Sequence, residues 1–152
     1  MRITVEMKEF IPFHSKEDIR AYFGLETGGR VQQALDMAVI DYCLPYCPMD
    51  SGLLAKSAYA ATRIGSGVVE YPGPYAHYMY YGEVYGPNLP ITNQEGEVEG
   101  YYSKKDVKKQ PTGRKLQYKT TVNPLAGSFW LERMKADHIE DLKELVSRVA
   151  RG

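Results

Sequence analysis

The chain has 152 residues, 43% of them hydrophobic and 25% charged, which is the size and composition of one folded domain rather than of a disordered segment. Nineteen basic and nineteen acidic side chains balance, which argues against a strongly basic nucleic-acid-wrapping protein and leaves only local charge to read. No apolar run of about 18 residues is present to span a membrane. The segment MRITVEMKEFIPF has neither the apolar core nor the small-residue cleavage site of a signal peptide, so none is expected.

Residues 2–7 alternate polar and apolar and predict a short strand. Ser15 as N-cap, with Asp18 three residues on, predicts a short helix ending at Gly24. A longer helix is expected over 30–44. Val31, Ala34, Leu35, Ala38, Val39 and Tyr42 form its apolar stripe, Asp36 and Asp41 lie on the other side, and Pro45 and Pro48 stop it. In CPMDSGLLAKSA the cap and turn residues Pro48, Asp50, Ser51 and Gly52 predict a tight turn, then one helical turn, then a strand over 58–64. Gly65-Ser66-Gly67 reads as a hairpin turn returning into a strand over 68–71.

The stretch YPGPYAHYMYYG (71–82) holds five tyrosines. Gly73-Pro74 suits a helix start and Gly82 a helix end, with a strand as the competing assignment. On a helix, Tyr75, Tyr78 and Met79 share one face, and His77, Tyr80 and Tyr81 another. One face is then expected to pack inward and the other to meet a partner. Tyrosine, apolar in the ring and polar at the tip, suits that arrangement.

Residues 83–100 carry Glu83, Glu95, Glu97 and Glu99 and no base; residues 102–119 carry Lys104, Lys105, Lys108, Lys109, Arg114, Lys115 and Lys119 against Asp106 alone. A net −4 is followed by +6. Prolines and glycines interrupt the stretch, so a protruding loop or long hairpin is expected over 83–120, with arms of opposite charge and a return strand near 116–122. The last element is an amphipathic helix over 126–150, opened by Phe129 and Trp130 and carrying Met134, Ile139, Leu142, Leu145, Val146 and Val149. The expected fold is one α+β domain: an antiparallel sheet packed against a long helix in the N-terminal half and a long C-terminal helix, with the 83–120 arm inserted.

Little in the chain points to catalysis. Cys43 and Cys47 stand in a C-x3-C spacing that cannot close a zinc site, and read as free, semi-buried thiols. His14, His77 and His138 are widely spaced; packing roles are expected for the last two. Asp137 and Asp141 read as solvated carboxylates on an exposed helix face. No phosphate-binding loop or dinucleotide fingerprint is found. No enzyme, metal or cofactor is expected. A nucleic-acid platform is the stronger rival, because Tyr101, Tyr102 and Tyr118 are interleaved with lysines. The adjoining acidic arm opposes it, and the paired charges suit a subunit that meets a copy of itself.

The order of motifs resembles the minor capsid and neck proteins of long-tailed bacteriophages, a group that includes head–tail joining and tail-completion proteins. The residues that carry the resemblance are Pro48, Asp50, Gly52, Leu53 and Ser57 in PMDSGLLAKSA, then Tyr75, Ala76, Tyr78 and Gly82, then Trp130 with Arg133 and Met134 after it. It covers roughly residues 28–82 and 123–150; residues 83–120 depart from the shorter members. The resemblance implies a non-catalytic virion protein made in the bacterial cytoplasm. Several copies would form a ring between the head-closure or portal side and the tail terminator or tail tube, with DNA only as passing cargo and no membrane partner. A tail terminator of the same particle is the alternative, and a small nucleic-acid-binding module using residues 101–119 is another. The subunit interface is expected at Tyr75, Tyr78, Tyr80, Tyr81, Glu95, Glu97, Lys104, Lys105, Lys108 and Lys109.

Overall fold

The computed structural model describes residues 1–6, 9, 10, 24 and 27–152. His14 and the short helix expected after Ser15 lie outside the described residues. The fold is α+β, with a long C-terminal helix and antiparallel strands. Its centre is the pair α1 (Arg30–Cys43) and α4 (Trp130–Arg151), which make the most extensive contact between elements. From α1, Val31, Leu35 and Val39 are buried as the stripe predicts, joined by Ile40 and Cys43. From α4, Trp130, Met134, Leu142 and Val146 face them. Arg30 ties the two ends together: its Nε and Nη2 donate to the carbonyls of Val149 (3.1 Å) and Ala150 (2.9 Å). A cation there answers the orphan carbonyls at a helix C-terminus.

Asp36 corrects the expected polar face of α1. It is fully buried. Its Oδ2 accepts from the backbone N–H groups of Gly65 (2.8 Å) and Gly67 (3.1 Å), and its Oδ1 from Gln32 Nε2 (2.7 Å). A carboxylate can be buried when its lone pairs are met in this way. The 65–67 turn is thus pinned to α1, at positive φ values of 92° for Gly65 and 73° for Gly67 that side chains rarely adopt.

The strand expected over 58–64 is a helix instead: α2 spans Leu53–Ala61. Its sequence LLAKSAYAA is rich in strong helix formers, and Ala55 and Ala58 bury one face at i,i+3. The strand β2 (Val68–Glu70) therefore has no hairpin partner before the turn. It pairs antiparallel with β1 (Arg2–Thr4), Ile3 opposite Val69. Thr62 still ties α2 to that ladder, its Oγ1 accepting from the N–H of Glu70 at 2.9 Å.

The tyrosine segment forms α3 (Pro74–Tyr81), with Gly73 at its N-cap and Gly82 closing it at φ 67°. The arm follows as β3 (Glu83–Gly86), β4 (Leu89–Thr92), β5 (Val98–Tyr102) and β6 (Gln110–Lys115). β4 pairs with β5, and β3 with β6, so the arm is a long nested hairpin. Among the described residues the antiparallel strands make three separate two-stranded ladders rather than a single sheet.

The return strand comes earlier than expected: it is β6, which ends at Lys115, and residues 116–122 form no strand. They run as an irregular segment held by specific bonds. Leu116 N–H donates to Gly82 O (2.9 Å), and Asn123 Nδ2 donates to the carbonyls of Leu44 and Cys47. The final helix begins at Trp130 rather than 126, because Phe129 sits at φ 49°, ψ 45° and breaks the helical run. Within α4, His138 departs from helical angles at φ −124°, ψ 15°.

Candidate subunit interface

Two of the three motifs that carry the resemblance meet in space. The turn before α2 brings Pro48, Asp50 and Gly52 against α3, and with Leu53, Tyr75 and Met79 they line an open cleft of about 210 Å³. Leu53 is 72% exposed and Tyr75 57% exposed, so two large apolar surfaces stand at the mouth of the cleft. Asp50 pairs with Lys119 across 2.7 Å at the rim. Ser57 is turned to its own helix, where its hydroxyl donates to Leu54 O at 2.6 Å. Its part is local to α2.

Helix α3 divides its aromatics differently from the expected faces. Ala76 and Tyr80, four residues apart, are the inward pair. Tyr80 is 5% exposed and therefore belongs to the core, which corrects its placement at the interface. Its ring lies edge-on to Trp130 at 4.7 Å, and its hydroxyl donates to Glu132 in a short hydrogen bond. Burial first, then that carboxylate, raise its phenol well above the ordinary range.

Outside lie Tyr75, His77 and Tyr81, with Tyr78 half-buried. His77, Tyr78 and Tyr81 form a chain of rings with neighbours that sequence reading missed. Tyr78 stands 4.5 Å from Tyr85, His77 4.7 Å from Tyr81, and Tyr81 5.7 Å from the exposed Phe129. Spacing within 71–82 could not reveal Tyr85 or Phe129, because both join the row through the chain's tertiary path. Phe129 is held in place by its N–H donating to Tyr80 O at 2.9 Å.

On the arm, opposite charges separate along its length rather than across it. Glu95 and Glu97 sit in the turn between β4 and β5, where Asn93 Oδ1 accepts from both of their N–H groups, and Glu99 follows in β5. Lys104, Lys105 and Lys108 are exposed in the segment joining β5 to β6. Lys109 is half-buried there and donates to Asn88 Oδ1 at 3.1 Å, so its ammonium is engaged within the chain. Glu83 stands opposite Lys115 in the β3–β6 register.

Other residues singled out for chemistry are absorbed by packing. Cys43 and Cys47 are free and buried. Burial pushes the Cys47 thiol up to about 12 and raises that of Cys43 further, so neither is a ready nucleophile near neutral pH. His138 stacks on Tyr42 at 5.0 Å and bonds Asp141 through Nδ1 at 2.8 Å. Asp137 accepts the hydroxyl of Tyr46 at 2.6 Å. These two carboxylates were expected to be simply solvated; each has a protein partner instead. Tyr118, a candidate stacking ring only in the nucleic-acid alternative, donates its hydroxyl to Met79 O at 2.5 Å and ties the segment after β6 to α3. Among the described residues no group of three His, Cys, Asp or Glu is placed to hold a metal, and no helix is long and apolar enough to cross a membrane.

Comparison with protein-family models, with curated proteins and with solved structures returned no match to this chain.

Proposed function

We propose that this chain is a structural subunit of the head–tail neck of a long-tailed bacteriophage. Copies of it form a ring joining the head-closure or portal side to the tail, around a channel through which DNA passes. The observation that carries the reading is the join between the first two resembling motifs. The 48–54 turn and the tyrosine helix build one exposed, largely apolar surface around Leu53 and Tyr75, and the same helix carries His77, Tyr78 and Tyr81 in the ring row from Tyr85 to Phe129. Exposed aromatics gathered on a small rigid scaffold are the usual anchors of a protein–protein interface. The arm adds a second surface made almost wholly of exposed residues. A tail-terminator position in the same particle draws on the same two surfaces.

A nucleic-acid module is the second reading, favoured by Tyr101 and Tyr102, both exposed beside Lys104 and Lys105. It is weakened by the engagement of Tyr118 and Lys109 within the chain and by the three carboxylates at the tip. The neck reading is tested by Tyr75→Ala and Tyr81→Ala. Both residues are exposed, so the expected outcome is an unchanged fold and particle preparations containing separate filled heads and tails. Joined particles at normal yield from both variants would count against it.

A further inference from the structure

The β4–β5 hairpin is formed but uncovered. Leu89 and Ile91 share one face with their partners Tyr102 and Gly100, and Pro90 shares the other with Tyr101. Ile91, Val98, Tyr101 and Tyr102 are all exposed. A two-stranded ribbon with neither face buried is marginal in water and gains from being covered. The turn end of this ribbon is acidic, with Glu95, Glu97 and Glu99 and no base anywhere between 83 and 100.

The cleft beside α3 has the converse character. Its exposed apolar walls are Leu53 and Tyr75. Two lysines stand at its edge: exposed Lys56, whose stem passes Gly52, and Lys119. Asp50 is the acid there, paired with Lys119 through an ion pair in which both side chains are at least 70% exposed. Such a pair is weak and exchanges readily for another carboxylate.

We infer that the acidic tip of the β4–β5 hairpin of one copy seats in the Leu53–Tyr75 cleft of a second copy. Ile91 on one face of the ribbon and Val98, paired with Thr92, on the other meet the apolar walls on either side, and Glu95, Glu97 and Glu99 meet Lys56 and Lys119. The inference rests on the ring reading above and names the contact that builds the ring. The two surfaces lie on different parts of the chain, so the contact is head-to-tail and closes into a ring where the rotation permits. Charge sets the register of the tip in the cleft, and the apolar contacts hold it.

The test is site-directed cross-linking. Leu53→Cys and Val98→Cys place thiols at two exposed positions, while the native Cys43 and Cys47 are buried. Under oxidised glutathione, a mixture of the two single variants should give a cross-linked dimer, and the double variant a ladder of higher species. This should hold for the purified chain at high concentration and within particles. The triple change E95K/E97K/E99K should lower cross-linking by at least about tenfold, with recovery on pairing it with K56E/K119E. Oligomers that form without the 53–98 cross-link, or tip-to-tip cross-links from V98C alone, would overturn this seating and leave the ring reading standing. Single copies throughout, in solution and in particles, would overturn both. So would tight duplex-DNA binding by the arm in place of self-association.

Discussion

At the level of single residues, the interior is set by a few large side chains and a few buried polar groups. Trp130 is the largest of them, fully buried and edge-on to both Tyr71 (5.3 Å) and Tyr80 (4.7 Å). Its removal leaves a void between α3, α4 and the chain after β2. Trp130→Ala is therefore expected to cost about 3–5 kcal/mol in urea unfolding; an unchanged midpoint, with failure only in assembly, would place this ring at the interface instead. Tyr46 supplies a pH prediction. The bond its hydroxyl makes to Asp137, together with burial, pushes the phenol from 10.0 up to about 12. The folded state favours the neutral phenol. The associated stability is therefore present below about pH 10 and is lost as pH rises towards 12. Asp137→Asn should bring the phenol back down in an absorbance titration, and a titration unchanged by that substitution would show that the carboxylate is not the cause. Trp130 was legible as core from its place at the head of an apolar stripe. Asp36 and Tyr80 were not. The partners that allow Asp36 to be buried, the N–H groups of Gly65 and Gly67, lie about thirty residues away. Tyr80 and Tyr81 are chemically identical neighbours that only the packing of α3 on Trp130 and Phe129 tells apart.

At the level of elements, periodicity and caps identified α1, α3 and α4 to within a few residues, because each has a long stripe or a clear glycine and proline frame. The misread element was α2. Its alanines serve helix or strand equally in a pattern reading, and helix propensity decided in favour of Leu53–Ala61. Strand pairing was the less legible level: β2 follows a turn that looks like a hairpin, yet its partner is β1, more than sixty residues earlier. The arm was legible as a long hairpin from its charge and turn residues, but not the stacking of two ladders within it. Its exposed strands lead to a prediction for the free chain. Amides of β4 and β5 should exchange rapidly in the monomer, and those of α1 and α4 slowly, since opening is cheapest where little apolar surface is buried. Strong protection across 95–112 in a chain shown to be monomeric would mean that the arm is stable alone and needs no neighbour.

For the whole molecule, a net charge of zero coexists with an acidic hairpin tip and a basic segment behind it. The body carries an exposed aromatic row and a charged arm, the two surfaces on which the proposed ring rests. Its two thiols are buried, and His138 is engaged in packing. The cleft around Leu53 was only half visible beforehand. Its residues stood out as motifs, but their convergence depends on how the 48–54 turn packs against α3. The measurement that bears most directly on the proposed function is a reconstruction of the particle whose genome encodes this chain. The account predicts a closed ring of copies at the junction of head and tail, with each hairpin tip reaching its neighbour's Leu53–Tyr75 cleft. A junction with no density for the chain, or isolated copies attached to packaged nucleic acid, would contradict it.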